Sequence, residues 1–314
     1  MLSESPGVLP DMRECLFLGL CQRELLYSPA DAPLFSSQEN YFLKFLENVT
    51  AVQLLKRRES EPYRSVISLG LRSYVLAMQS FGKKLNARAL SCAVLFSVLG
   101  SLLDDRIDRG TTPERESALR LLHWERGCGG YFQGKITRCG NYAEELLTEI
   151  SAYLQIIRFR QREAYNDLLR QLQQAAEAES QPIYPADSRQ ASHYVMHKSV
   201  HYTQLGFALA ASGSLSRREA CLCRMVGRVY RLIDDLCDME EDAAGDQINY
   251  ITARAQNQRE LLHSLEQAFR ELDKALAALK QGMSREFYTF LLYELRLWTL
   301  SNRYIFQRSL SQNH

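Results

Sequence analysis

The sequence is poor in the residues that break helices: its 314 positions hold 16 glycines and 8 prolines, gathered in a few places. Alternating β-branched runs between tight turns are nearly absent, which argues against a sheet-based fold. An excess of one charge is missing too, since 38 basic residues stand against 37 acidic ones for a formal net charge of +1. No overall positive field exists to draw the chain onto nucleic acid, so a dedicated DNA or RNA binder is not expected.

The 8 cysteines form no framework. One residue separates Cys221 from Cys223, which is not zinc-finger spacing. Cys92 and Cys237 sit in apolar helical patterns, where cysteine behaves as a small hydrophobe. A reducing, cytoplasmic setting is expected. Met1 to Cys15 carries Glu4, Asp11, Arg13 and Glu14 among prolines and lacks the basic-then-apolar order of an export signal. The longest nearly uninterrupted apolar stretch, Ala89 to Leu103, falls short of the roughly 20 residues that cross a bilayer. It reads as a buried core helix, and no transmembrane segment is expected.

Apolar residues make up 46% of the chain and charged ones 24%, enough to bury a sizeable core. Apolar positions recur every three or four residues, predicting helices over 38–57, 63–81, 86–108, 113–125, 139–178, 188–212, 216–243, 256–281 and 284–311. Loops are predicted at 110–114, 127–135, 180–188 and 243–250. None reads as an interdomain linker, and no fixed repeat is visible. The expectation is an all-α fold, one helical domain over 1–314 with a loosely ordered segment at 1–37.

Two acidic clusters break the otherwise even charge. The apolar helix 86–108 ends in Leu103-Asp104-Asp105-Arg106-Ile107-Asp108, a DDxxD sequence with Asp104 and Asp108 one turn apart. Like charges at i, i+4 repel, and carboxylates at a helix C-terminus also face the negative end of its dipole. A second helix carries Asp234, Asp238 and Asp242 at four-residue spacing, a stripe about 12 Å long. One such stripe is ordinarily a solvated acidic face. Two, each appended to an apolar segment and with first aspartates 130 positions apart, point to hard divalent cations. Mg²⁺ keeps several waters and takes few carboxylates plus phosphate oxygens, so sparse acidic walls predict a diphosphate substrate.

With Asp104-Asp105-Arg106-Ile107-Asp108, and with IDDLCDMEED (233–242) followed by GDQIN (245–249), the chain resembles the class I isoprenoid synthase superfamily of terpene cyclases and prenyltransferases. The resemblance implies an antiparallel helical bundle around a central cavity, with the motifs on opposite walls of its mouth. It implies Asp104, Asp105, Asp108, Asp234, Asp238 and Asp242 as catalytic metal ligands, and three Mg²⁺ ions bound with a prenyl diphosphate of ten to twenty carbons or longer. The second motif departs from the cyclase pattern, with Asp at the positions of its Ser and Glu, and leans toward prenyltransferases.

Positive residues are expected to complete a diphosphate site, because Arg matches phosphate oxygens with bidentate geometry. Arg189 resembles the diphosphate-sensing Arg of cyclases, and Lys198-Ser199 the Lys-Thr pair of prenyltransferases. Arg303-Tyr304, after Trp298, is similar to a C-terminal element of bacterial cyclases that contacts diphosphate. Arg231 reads instead as a charge partner for Asp234 or Asp235. A cation cascade also calls for an aromatic cavity, for which Phe96, Tyr202, Phe207 and Trp298 are candidate walls; aromatics at such spacing also serve as plain core.

Chain elongation needs a second basic site. Gly82-Lys83-Lys84-Leu85 and Arg109-Gly110-Thr111-Thr112-Pro113 match that part of the family only partially, so one basic site is better supported. The expected activity is a terpene cyclase. Trans-prenyltransferase is the runner-up, followed by a head-to-head squalene or phytoene type of synthase. A nonenzymatic helical scaffold with solvated or calcium-buffering acidic faces is the reading from another class. A homodimer is left open.

Overall fold

The computed structural model describes residues 54–55, 57–122, 142–180, 188–213, 215–239, 242, 249–255 and 257–295. Among them 88% are helical and none lies in a strand, so the fold is all-α as the scarcity of helix breakers predicts.

A 3-10 helix, Arg58–Tyr63, leads into α1 (Arg64–Ser80). Next come α2 (Ala87–Arg109), α3 (Thr112–Leu122), α4 (Tyr142–Arg160), α5 (Arg162–Ser180), α6 (Ser188–Ala210) and α7 (Arg217–Cys237). A 3-10 turn at Thr252–Arg254 precedes α8 (Gln258–Gly282), and α9 covers 285–295. Side chains fix the starts. Asn86 Oδ1 accepts from Arg88 N at 3.0 Å, and Asn257 Oδ1 accepts from Glu260 N at 3.0 Å. Ser216 and Glu219 form a reciprocal capping box at the start of α7.

Helix α2 packs against α1, α3, α4 and α6. Its 21-residue stretch Ala87–Ile107 is long and apolar enough to cross a membrane, more than the shorter run visible in the sequence suggests. It is nevertheless mostly buried inside the protein, as a core helix would be.

Side-chain contacts give the directions. Tyr63 near the start of α1 reaches Asp105 near the end of α2, while Tyr74 reaches Ser97, so these helices are antiparallel. Lys198 on α6 meets Asp104, and Tyr202 lies against Gly100, so α6 runs antiparallel to α2. Arg224 on α7 donates to Gln204 Oε1 at 3.1 Å, and Gly227 lies against Ser199, making α7 antiparallel to α6. A Cβ at Gly227 would come within 3.0 Å of the Ser199 carbonyl oxygen; the missing side chain sets how closely α7 approaches α6.

Two predicted helices differ. The single helix expected over 139–178 is two, meeting at Gln161. Backbone bonds continue on both sides, Gln161 N to Ile157 O at 2.7 Å and Tyr165 N to Gln161 O at 3.0 Å. The break lets the halves follow different neighbours: α4 packs on α2 and α5 on α6. The helix expected over 216–243 ends at Cys237, with Asp238 as its C-cap. The predicted helix 38–57 lies almost wholly outside the described residues, and 284–311 is described as far as Leu295.

Candidate functional site

Four helices, α1, α2, α6 and α7, line an open cavity of about 300 Å³. Its walls are aromatic and small: Tyr74 from α1, Phe96 and Gly100 from α2, Tyr202 and Phe207 from α6, and Tyr230 from α7. The rings brace one another. Phe96 stacks on Tyr202 with centroids 5.5 Å apart, and Tyr74 meets Phe207 edge-on at 5.1 Å. The phenol groups are satisfied, Tyr74 with Ser97 at 2.7 Å and Tyr230 with Ser73 at 3.1 Å. Burial pushes the Tyr74 hydroxyl up to about 12, so it stays a neutral hydrogen-bonding group.

One edge of this cavity is charged. Asp104 and Lys198 both line it, and they form an ion pair between α2 and α6. The Asp104 side chain is 45% exposed and that of Lys198 28%, so the pair faces solvent at one end and the aromatic wall at the other. Asp105 accepts from Tyr63 at 3.2 Å and does not line the cavity. Asp108 lies in the last turn of α2, and its side chain is outside the described residues.

The second acidic cluster divides into two roles. Asp235 is fully buried and takes two hydrogen bonds from Arg231, one of them from Nε at 2.9 Å. It also accepts from Tyr250 N at 3.1 Å. Burial raises its carboxyl to about 6, with Arg231 and the Tyr250 N–H pulling the other way. Its oxygens are committed inward. Asp234 shares Arg231, with Nη1 at 3.2 Å, but its side chain keeps 33% of its surface exposed. Its pKa stands at about 6: burial raises it most, Arg231 opposes, and the charges of Asp235, Asp242 and Asp104 raise it further. The Asp104 charge is the smallest of these contributions.

Asn249, fully buried, ties Asp242 and the turn at 249–252 to the end of α7. Its Nδ2 donates to the Asp235 carbonyl at 2.7 Å and to Asp242 Oδ2 at 2.8 Å, and its Oδ1 accepts from Ile251 N at 3.0 Å. Asp238 N still bonds Asp234 O at 2.9 Å, and Asp242 N bonds Asp238 O at 2.8 Å.

Among the described residues no three His, Cys, Asp or Glu side chains converge as a metal cage. The available donors are hard carboxylate oxygens, sparsely placed, with Asp234 paired to Arg231. That donor set fits Mg²⁺ that takes its remaining ligands from water and phosphate.

Phe96, Tyr202, Phe207, Asp104 and Lys198 are thus brought to one cavity. Arg189 begins α6 with its side chain outside the described residues, and Trp298, Arg303 and Tyr304 lie wholly outside them. Sequence reasoning missed Tyr74, Tyr230, Ser73 and Asn249. Only Asn249 carried a signal, as the last residue of GDQIN. No known family profile matches the chain, and no curated protein matches it.

Proposed function

We propose that the protein is a class I terpene synthase that ionises a linear prenyl diphosphate and cyclises the resulting carbocation, releasing diphosphate. The observation that carries this reading is the Asp104–Lys198 ion pair at the edge of an aromatic cavity, in a chain that carries a second acidic cluster at the end of α7. Bound Mg²⁺ supplies Lewis-acid stabilisation of the departing diphosphate. Asp104, Asp234 and Asp242 would hold it, with Asp238 from the same stripe.

The chain's own residues do the rest. Lys198 offers an ammonium that can pass from Asp104 to a phosphate oxygen. Arg231 and Asp235 form a buried strut that fixes Asp234 at the end of α7. Phe96, Tyr202, Phe207, Tyr74 and Tyr230 exclude water and turn ring faces and edges toward the prenyl chain. No protein nucleophile is required.

A second reading, chain elongation, is favoured by one observation: Lys198-Ser199, similar to the prenyltransferase Lys-Thr pair, lines the cavity beside the first motif. One experiment separates the readings. Purified protein with Mg²⁺ is given ten-, fifteen- and twenty-carbon prenyl diphosphates separately, with and without isopentenyl diphosphate. Diphosphate release and a cyclic product from a single allylic substrate are expected. Release only with isopentenyl diphosphate assigns elongation, and no release from any substrate overturns both.

A further inference from the structure

Helix α6 carries a second cluster of metal-ligating side chains, separate from the acidic motifs. His193, His197 and His201 recur every four residues and so stack along one face of the helix. The rings of His193 and His197 lie 4.2 Å apart, centroid to centroid, and His197 Nδ1 is 3.2 Å from His201 Nε2. His193 and His197 are exposed and His201 is half-buried.

We infer that His197 and His201 form a chelating site for a borderline divalent transition metal, of the Zn²⁺, Ni²⁺ or Cu²⁺ class, on the outer face of α6. The spacing carries the inference. Two imidazole nitrogens each about 2.0–2.1 Å from one ion are separated by roughly 2.9–3.4 Å at cis or tetrahedral angles. The observed pair, joined by a hydrogen bond, lies within that range, so a metal would take the place of the shared proton once the donor ring moves that proton to its other nitrogen.

The surroundings select the ion. Burial, a neighbouring histidine and a charge from α7 hold both rings below the ordinary histidine pKa; the charge is Arg228 for His197 and Arg224 for His201. Neutral imidazole is the ligating form, so burial first, and the neighbouring histidine and guanidinium charges after it, keep the donors ready. The same positive charges oppose an ion held by electrostatics alone, such as Mg²⁺. They are tolerated by a metal that forms strong bonds to imidazole. With no third His, Cys, Asp or Glu converging among the described residues, water fills the other positions. The site is independent of the proposed activity.

Ni²⁺ binding by the full chain, measured by calorimetry with excess Mg²⁺ to occupy the carboxylates, tests this directly. His197→Gln and His201→Gln are each expected to weaken one Ni²⁺ site by at least about tenfold, as loss of one of two protein ligands should. His193→Gln should bind as the unsubstituted chain does, and circular dichroism should show helix content unchanged in all three. Equal Ni²⁺ affinity in all four proteins, or no binding by the unsubstituted chain, overturns the inference.

Discussion

Lys198 and Asp104 pair across the gap between α6 and α2, joining the basic residue of one helix to the first aspartate of the acidic motif on the other. The pair neutralises at rest what a metal and a diphosphate would neutralise in turnover. Lys198→Met should therefore have two opposite effects. The KM for prenyl diphosphate should rise by about 10- to 100-fold, the worth of a charge-assisted hydrogen bond to phosphate. Mg²⁺ binding without substrate should tighten, because Asp104 is left uncompensated in the field of Asp234. Steady-state kinetics and a Mg²⁺ titration check the two halves separately. Unchanged values in both would remove Lys198 from the site.

Asp104→Asn removes a hard donor while keeping shape. Diphosphate release is expected to fall by about 100-fold or more, since Lewis-acid stabilisation of a leaving group is worth several kcal/mol. The Tm should change little, because the carboxylate is 45% exposed and its ion pair is of modest worth. Loss of activity together with the helical fold would make Asp104 structural.

Arg231 and Asp235 are the reverse case. With Asp235 fully buried, Arg231→Met strands a charge and should cost about 3–5 kcal/mol in urea unfolding. Adding Asp235→Asn removes the stranded charge while leaving an oxygen for Tyr250 N. The double variant should recover at least about 1 kcal/mol of that loss, the coupling expected of residues in direct contact. Additive losses would show that the two side chains act separately.

Much of the helical layout was legible because its signals are local. The apolar period predicts α1, α2, α6 and α8 within a few residues, and Asn86, Ser216 and Asn257 mark starts by side-chain chemistry. The break at Gln161 was not legible. It carries no Gly or Pro, and it reflects two halves packing on different helices, which is information held by distant residues. Within the site, the aspartates announced themselves by charge in an apolar setting. Tyr74 and Tyr230 did not, because a tyrosine on a helical apolar face looks the same whether it fills core or lines a cavity. The split between inward Asp235 and outward Asp234 depends on Tyr250, whose backbone N–H arrives from 15 positions away.

The start of α7 should fail in acid before the core does. Burial pulls Glu219 up, but Ser216 N and Oγ and Lys83 together hold it below the ordinary value of 4.5. A carboxyl depressed in the folded state contributes stability that is complete above its unfolded pKa and lost as pH falls through its folded one. Glu219→Gln should thus be less stable than the parent chain at pH 7, by about 1 kcal/mol for a weakened cap. The difference should shrink as pH falls below 4.5 and through the lower folded-state value. Urea midpoints across a descending pH series read this out, and a gap that stays constant in acid would assign the loss to packing.

Gly206 decides whether Tyr74 can occupy the cavity wall. A Cβ at this position would lie 2.2 Å from the Tyr74 hydroxyl and 3.0 Å from its Cζ, and Tyr74 is fixed in turn by Ser97 and by the edge of Phe207. The ring is buried, and displacing it would cost its contacts with Ser97 and Phe207. Gly206→Ala is therefore expected to destabilise by about 1–3 kcal/mol, the usual cost of forcing an extra methyl into a packed interior. Tyr74→Phe removes the oxygen at the point of collision and should recover part of that cost in the double variant, although alone it costs the bond to Ser97. If Gly206→Ala is neutral in thermal unfolding, Tyr74 yields into the cavity at little cost, and the cavity's shape is not set by the approach of α6 to α1.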